Sequence, residues 1–267
     1  MKVVVLSGSD KGAIGYFVRQ IHEQSTVQLA MVVVNAHQAT AAKKSRKRQL
    51  KKVLRIGVLG AINGIRMRKW FGPLMHQYLP PVDLKSYCTS QGIPLVYTPA
   101  TNHAETVRCF QESGASLGLS LGNDYIASKV FSVPKYGMIN LHGEILPDYQ
   151  NAQSVIWQIH NGSNKTGYTI HKVSKKIDGG DILYQEAFDI EFRDSLQDTV
   201  SFNCAAITKR SASGLVHVLN DFENYLSAAR PQGSGGHYTT PSIWQFARIY
   251  RNYRSLRSNN NFNNKPA

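Results

Sequence analysis

The first hydrophobic run of the chain is short and unbroken. Residues 2–6, KVVVL, are β-branched and apolar and stop at the polar stretch SGSDKG. A continuous run of this length predicts a strand buried on both faces, as in a parallel sheet. Residues 13–24 then space their apolar positions as an amphipathic helix does. Residues 27–34, VQLAMVVV, predict a second buried strand. The order strand, loop, helix, strand predicts an α/β sheet with right-handed crossovers.

The rhythm breaks over residues 38–79 and then resumes. It predicts a helix over Val82–Gly92 ended by Gly92, a strand over 93–97, a helix over 103–113 and a strand over 115–121. A short helix near 125–131 and a strand over 137–141 follow. Residues 150–161 read as helix, and 166–174 and 181–190 as strands around the loop KKIDGG. Residues 195–228 read as one long helix, with a last helix over 241–257. The expected organisation is a principal domain over 1–190 with an insertion at 38–79, and a helical C-terminal extension over 191–257. The polar tail SNNNFNNKPA, 258–267, is expected to be disordered.

Composition narrows the picture. Of 267 residues, 42% are hydrophobic and 18% charged, which excludes global disorder. The formal net charge is +14. That balance invites a nucleic-acid or anionic-membrane partner, but its distribution is uneven. Residues 41–76 hold eleven Lys and Arg and no acid, and the chain after Glu223 holds six more, again with no acid. The remainder is slightly acidic. Cys88, Cys109 and Cys204 stand apart without metal-ligand spacing, so neither a disulfide framework nor a metal site is expected, and a reducing cytoplasm is. The N-terminal segment lacks a signal-peptide pattern, and no apolar run is long enough to predict a spanning helix.

The candidate chemistry lies in GMINLHGEILPDYQ and TGYTIHKVSKKIDGGDILYQ, within 137–185. A strand ending in Asn140-Leu-His142 puts both polar side chains on one face, at the carboxyl edge of the sheet, where α/β proteins bind ligands. Asp178 falls in a Gly-flanked loop between two strands. Singly, each residue has an ordinary explanation: a turn cap for Asn140, a structural His142, a hairpin turn at Asp178. SGSDKGAIG, 7–15, is a strand-to-helix loop suited to a phosphate, but it lacks the spacing of a dinucleotide fingerprint.

Taken in order, the Asn-x-His strand end, the LPxY turn, the GxTxH strand and the DxGDIL loop resemble the folate-dependent formyltransferases. These are the glycinamide ribonucleotide, methionyl-tRNA and sugar N-formyltransferase catalytic domains. The resemblance covers residues 1–190 apart from the insertion. It implies a Rossmann-like formyltransferase fold, mostly parallel with helices on both faces, and formyl transfer from 10-formyltetrahydrofolate to a primary amine, without a metal. Asn140, His142 and Asp178 would be the catalytic trio. Asn140 and a protonated His142 would donate to the oxygen that gains charge, and Asp178 would hold the imidazolium and accept the amine proton. His171 would support Asp178. Asn123, Asp124, Ile126, Lys176 and Ile177 would line the folate pocket. Ser9, Lys11, Gln150 and Asn151 would contact the acceptor.

The chain departs from the family pattern after His142, where Glu144, Gln150 and Asn151 replace the usual Ser, Arg and Gly. These positions border the acceptor site, so the acceptor is open. Ala152, Gln153 and Trp157 could extend that surface, or Trp157 could be a core anchor. Residues 191–267 look too short for a tRNA-binding barrel, which leaves a nucleotide-linked amino sugar of surface polysaccharide synthesis as the leading acceptor. Methionyl-tRNA and glycinamide ribonucleotide are the alternatives. An inactive basic RNA- or membrane-binding module with the same fold is the reading of another class. The basic segment 41–76, mixed with Leu, Val, Ile and Trp, suits an anionic membrane's inner face, nucleic acid by nonspecific charge, or a solvated hairpin or oligomer contact.

Overall fold

A computed structural model describes residues 1–35, 42–151 and 153–263. The apolar runs form a seven-stranded sheet. Its strands are β1 (Lys2–Ser7), β2 (Gln28–Asn35), β3 (Leu95–Thr98), β4 (Leu117–Leu121), β5 (Met138–His142), β7 (Lys165–Lys172) and β8 (Ile182–Asp189). A two-residue strand, β6 (Tyr149–Gln150), lies outside it. The strand order is β3-β2-β1-β4-β5-β7-β8. The first five are parallel, and β7 and β8 are added antiparallel. The mostly parallel α/β reading therefore holds.

β1 shows why an unbroken apolar run was needed. Val3 and Val5 face one core, and Val4 and Leu6 the other, because strand side chains alternate. On the first face lie α1 (Ile14–Gln24), α3 (Leu84–Ser90) and α7 (Leu196–Asn220), through residues such as Val18, Leu84, Val200 and Leu215. On the second lie α4 (Ala104–Ser113) and α5 (Ser128–Phe131), through Phe110 and Val130. Residues beyond 190 thus supply one layer over the sheet, and α7 packs on α1 and β7.

Several predicted boundaries shift. Only Ile156–His160 of the stretch 150–161 is helical (α6). Gln150 instead belongs to β6, which pairs with β9 (Gly236–His237). Asn151 and Val155 hold positive φ, which no helix interior allows. The helix predicted over 195–228 breaks at Asp221 (φ −130°, ψ 38°) into α7 and α8 (Phe222–Ser227). The last helix, α9 (Ile243–Asn263), runs six residues into the segment expected to be disordered. Residues 264–267, the end of that segment, lie outside the described residues, as does Ala152.

The basic segment is mostly helical, α2 (Ala42–Arg68), and it bends at Gly57, whose φ of 76° and ψ of 164° interrupt the helix. Its far end is anchored in the first core through Met67, Trp70, Met75 and Leu79. The Arg66 guanidinium stacks on Trp70 and Phe246. Among the described residues no helix is long and apolar enough to cross a membrane.

Candidate functional site

Parallel strands point their carboxyl ends the same way, and the loops after β4 and β5, with the loop between β7 and β8, line a cleft of about 560 Å³ at that edge. Asn140 and His142 line it from the end of β5, two residues apart as their strand requires. The antiparallel partner β7 sets His171 opposite Asn140 and Thr169 opposite His142. Asp178 enters from the loop between β7 and β8. It adopts φ +49°, a left-handed conformation that Asp tolerates through local hydrogen bonding.

The hydrogen bonds fix the orientation of each group. His171 Nδ1 donates to the Lys172 carbonyl at 2.9 Å. Burial pushes the His171 imidazole down to about 4, and the neighbouring His142 lowers it further against the opposing pull of Asp178 and the Lys172 carbonyl. The ring is therefore neutral near pH 7, with its lone pair on Nε2. That nitrogen accepts from Asn140 Nδ2 at 3.2 Å. The amide of Asn140 is thus held with its nitrogen toward β7, and its second N–H remains available. His142 Nε2 donates to the Tyr149 carbonyl at 2.9 Å, and its Nδ1 lies 3.8 Å from Asp178 Oδ1. Asp178 Oδ2 accepts the Asn151 backbone N–H at 3.0 Å. The other carboxylate oxygen, Oδ1, is left between the two imidazoles, 4.0 Å from His171 Nε2.

The remaining sequence-predicted residues, Gln150 apart, divide between two cavities. Asn123, Asp124, Ile126, Lys176, Ile177 and Asn151 line the first cleft. The Asn123 side chain is committed inward, donating to the Leu6 carbonyl at 2.6 Å and accepting from Asn35 at 3.1 Å, so what it offers the cleft is backbone. Ser9 and Lys11 line a second cavity of about 350 Å³ with Phe17, Phe71, Met75, Ser154 and Cys204. Gly122 and Leu141 line both. The structure places Gln150 elsewhere: it is buried in β6 and lines neither cavity, since a strand residue must face inward or outward and Gln150 faces inward. Trp157 is buried and donates its Nε1 to the Thr239 carbonyl, a core anchor. Among the described residues no group of three or more His, Cys, Asp or Glu is placed to hold a metal ion.

Sequence reasoning missed four contributors. Asn102 pins the loop after β4, donating to the Tyr125 carbonyl at 2.8 Å and accepting the Ala127 N–H at 2.7 Å. Nothing in its local sequence marks it. Phe71 and Met75 bring the end of the basic segment into the second cavity. Glu144 was noticed only as a departure. It is 1% exposed, its Oε2 accepts from Gln158 Nε2, and among the described residues its Oε1 and Gln158 Oε1 have no partner. Burial pushes its carboxyl up to about 8, against the lowering effect of Gln158 and Ser154. A neutral acid is the form so dry a site holds.

Fold and site together define a Rossmann-like α/β domain with an Asn/His/Asp cleft at its carboxyl edge. Residues 123–217 match the formyl transferase family model. The chain is 41% identical over 116 residues to methionyl-tRNA formyltransferase of Mesoplasma florum, a match covering 43% of this chain and 37% of that one. It spans between about a fifth and about half the length of the curated relatives it matches. Two solved structures share the fold. Glycinamide ribonucleotide transformylase 1 of Symbiobacterium toebii aligns at a TM-score of 0.57 and 14% identity, covering 87% of this chain and 94% of that one. A sugar N-formyltransferase from Shewanella sp. aligns at 0.55 and 14%, covering 94% and 87%.

Proposed function

We propose that this chain transfers a formyl group from 10-formyltetrahydrofolate to a primary amine, at the cleft holding Asn140, His142 and Asp178. The observation that carries the proposal is the orientation of these three groups around one point of the sheet edge. The cleft's donor set suits a folate. It combines loop backbone at 122–126 with the apolar surfaces of Ile126, Leu141 and Val173, a match for a flat, polar-edged ring system. Bound there, the folate supplies an activated formyl carbon.

The protein's own groups then divide the work. The free N–H of Asn140 donates to the formyl oxygen as it gains negative charge. The fixed neutral His171 keeps that amide from flipping. His142, held by the Tyr149 carbonyl, presents Nδ1 toward Asp178, so a proton gained there is stabilised by the carboxylate. Asp178 Oδ1 accepts the proton the attacking nitrogen sheds, directly or through water, and a proton passes to the folate nitrogen as its bond to the formyl carbon breaks and tetrahydrofolate leaves. The three free, buried thiols suit a reducing compartment such as the cytoplasm.

For the acceptor, the second cavity is the entry. It meets the first at Leu141, and Ser9 and Lys11 sit with the apolar surfaces of Phe17, Phe71 and Met75. A cation beside aromatic faces suits a phosphorylated ligand with a flat or apolar part. We read it as a nucleotide-linked amino sugar, supported by the Shewanella sugar enzyme aligning with 94% of this chain. Methionyl-tRNA is the second reading, supported by the sequence likeness to methionyl-tRNA formyltransferases.

The test is folate release with 10-formyltetrahydrofolate and a panel of nucleotide-linked amino sugars, methionyl-tRNA and glycinamide ribonucleotide. Turnover with one amine class, lost in His142→Ala, is expected. Turnover that survives both His142→Ala and Asp178→Asn would overturn the assigned roles.

A further inference from the structure

The segment from Gly57 to Lys69 has two faces, and among the described residues only one packs on the rest of the chain. Ile56, Gly60, Asn63, Gly64 and Met67 are buried. The glycines fix this face inward: a Cβ at Gly60 would lie 3.3 Å from the Ser242 Cα, and one at Gly64 only 2.6 Å from Thr240 Cγ2. Helix and chain are too close there for any other orientation. The opposite face is therefore outward by construction, and it is not polar. Val58, Ile62 and Ile65 recur at helical spacing along it, with Leu59 beside them and Leu54 just before the bend. All five are between 60% and 77% exposed. Single exposed aliphatics are ordinary, but a ridge of five over three turns is not.

Cations surround the ridge. Arg55, Arg66, Arg68 and Lys69 are all exposed, and no acid occurs between residues 41 and 76. Trp244 stands 83% exposed at the start of α9, two residues after the Ser242 on which Gly60 rests. We infer that this face of α2 docks the protein on an anionic lipid surface, aliphatic ridge inserted and cations at the headgroups. The charge pattern selects this occupant. A second copy would set cations against cations around the ridge, since neither copy has an acid there to answer them. Nucleic acid is gripped through its phosphates by cations and gains nothing from an aliphatic ridge. An anionic bilayer satisfies both halves of the pattern, and an exposed Trp suits its interface. The inference does not depend on which amine is formylated.

The experiment is sedimentation of the full chain with vesicles. One set is phosphatidylcholine with phosphatidylglycerol, the other phosphatidylcholine alone. Binding is expected to the mixed vesicles, weaker as salt is raised, and not to the neutral ones. The variant Val58→Ser/Ile62→Ser/Ile65→Ser keeps every charge and should bind at least about tenfold more weakly. Arg68→Gln/Lys69→Gln keeps the ridge and should weaken binding several-fold and reduce its salt dependence in part. Both alter exposed residues only, so thermal melting and the turnover of a soluble substrate should be unchanged. No binding to mixed vesicles at low salt overturns the inference, as does binding indifferent to the serine variant. A dimer in sedimentation velocity that the serine variant dissociates, without vesicle binding, assigns the face to a second copy. RNA binding lost in the same variant, without vesicle binding, assigns it to RNA.

Discussion

The carboxyl edge of the sheet and the outer face of α2 use charge in opposite ways. At the edge, polar groups are half-buried or buried, each held by named hydrogen bonds, and burial keeps two of them neutral, His171 and Glu144. On α2 and just beyond it the described cations, Arg55, Arg66, Arg68 and Lys69, are exposed, and the sequence supplies no acid between residues 41 and 76. The first region spends few charges at fixed positions, where a low dielectric makes each count. The second sets its described cations in water, where each is weak and only their sum attracts a surface. Net charge therefore reports on the second region and is nearly blind to the first.

The comparison breaks most sharply at Asp178. Asp178→Asn keeps an oxygen for the Asn151 N–H but removes the carboxylate from between the imidazoles. A kcat fall of roughly a thousandfold is expected, measured by folate release, with vesicle binding unchanged. A smaller effect is expected at His171, which acts through Asn140. His171→Phe should lower kcat roughly tenfold to a hundredfold with KM little changed. His171→Gln, whose carbonyl can still accept from Asn140, should recover part of it. A parallel rise in KM would instead mean the cleft itself had deformed.

Glu144 tests the neutrality of the site by stability. Its carboxyl is raised from 4.5 to about 8 in the fold, so between those values the folded chain holds a proton that the unfolded chain has released. Its contribution is fully present below about pH 4.5 and is lost as pH rises through about 8. Glu144→Gln removes that loss. The variant should match the parent near pH 5 and be more stable by a few kcal/mol above pH 8, read from denaturant melts across pH. His171 acts in the other direction: its lowered value makes the fold less stable as pH falls from 6.5 toward about 4. The smallest effect belongs to α2. Arg66→Ala removes the stacking on Trp70 and Phe246 and should cost about 0.5–1 kcal/mol, seen as a small drop in melting temperature.

Much of this was legible in the chain. The alternation of Val3, Val4, Val5 and Leu6 requires a strand covered on both faces, and the two cores are where those residues go. Asn140 and His142 had to share a face because a strand repeats every two residues. Glycine is a poor helix former, and the basic helix bends at Gly57. The stretch after His142 was not legible. Its apolar spacing resembles a helix, yet Tyr149 and Gln150 pair with Gly236 and His237, more than eighty positions away. A contact of that range leaves no local trace.

What the sequence determined by itself is what local periodicity encodes: the parallel α/β sheet, the strand carrying Asn140 and His142, and the basic, aliphatic character of residues 41–76. What only the tertiary structure decided is what depends on distant partners. It brought His171 against Asn140 and made it neutral, it buried Glu144 against Gln158, and it set Gly60 and Gly64 against residues 240–242. Burial and close approach are properties of two chain segments at once, so no single stretch of sequence can specify which face of α2 is left to the solvent or which carboxyl keeps its proton.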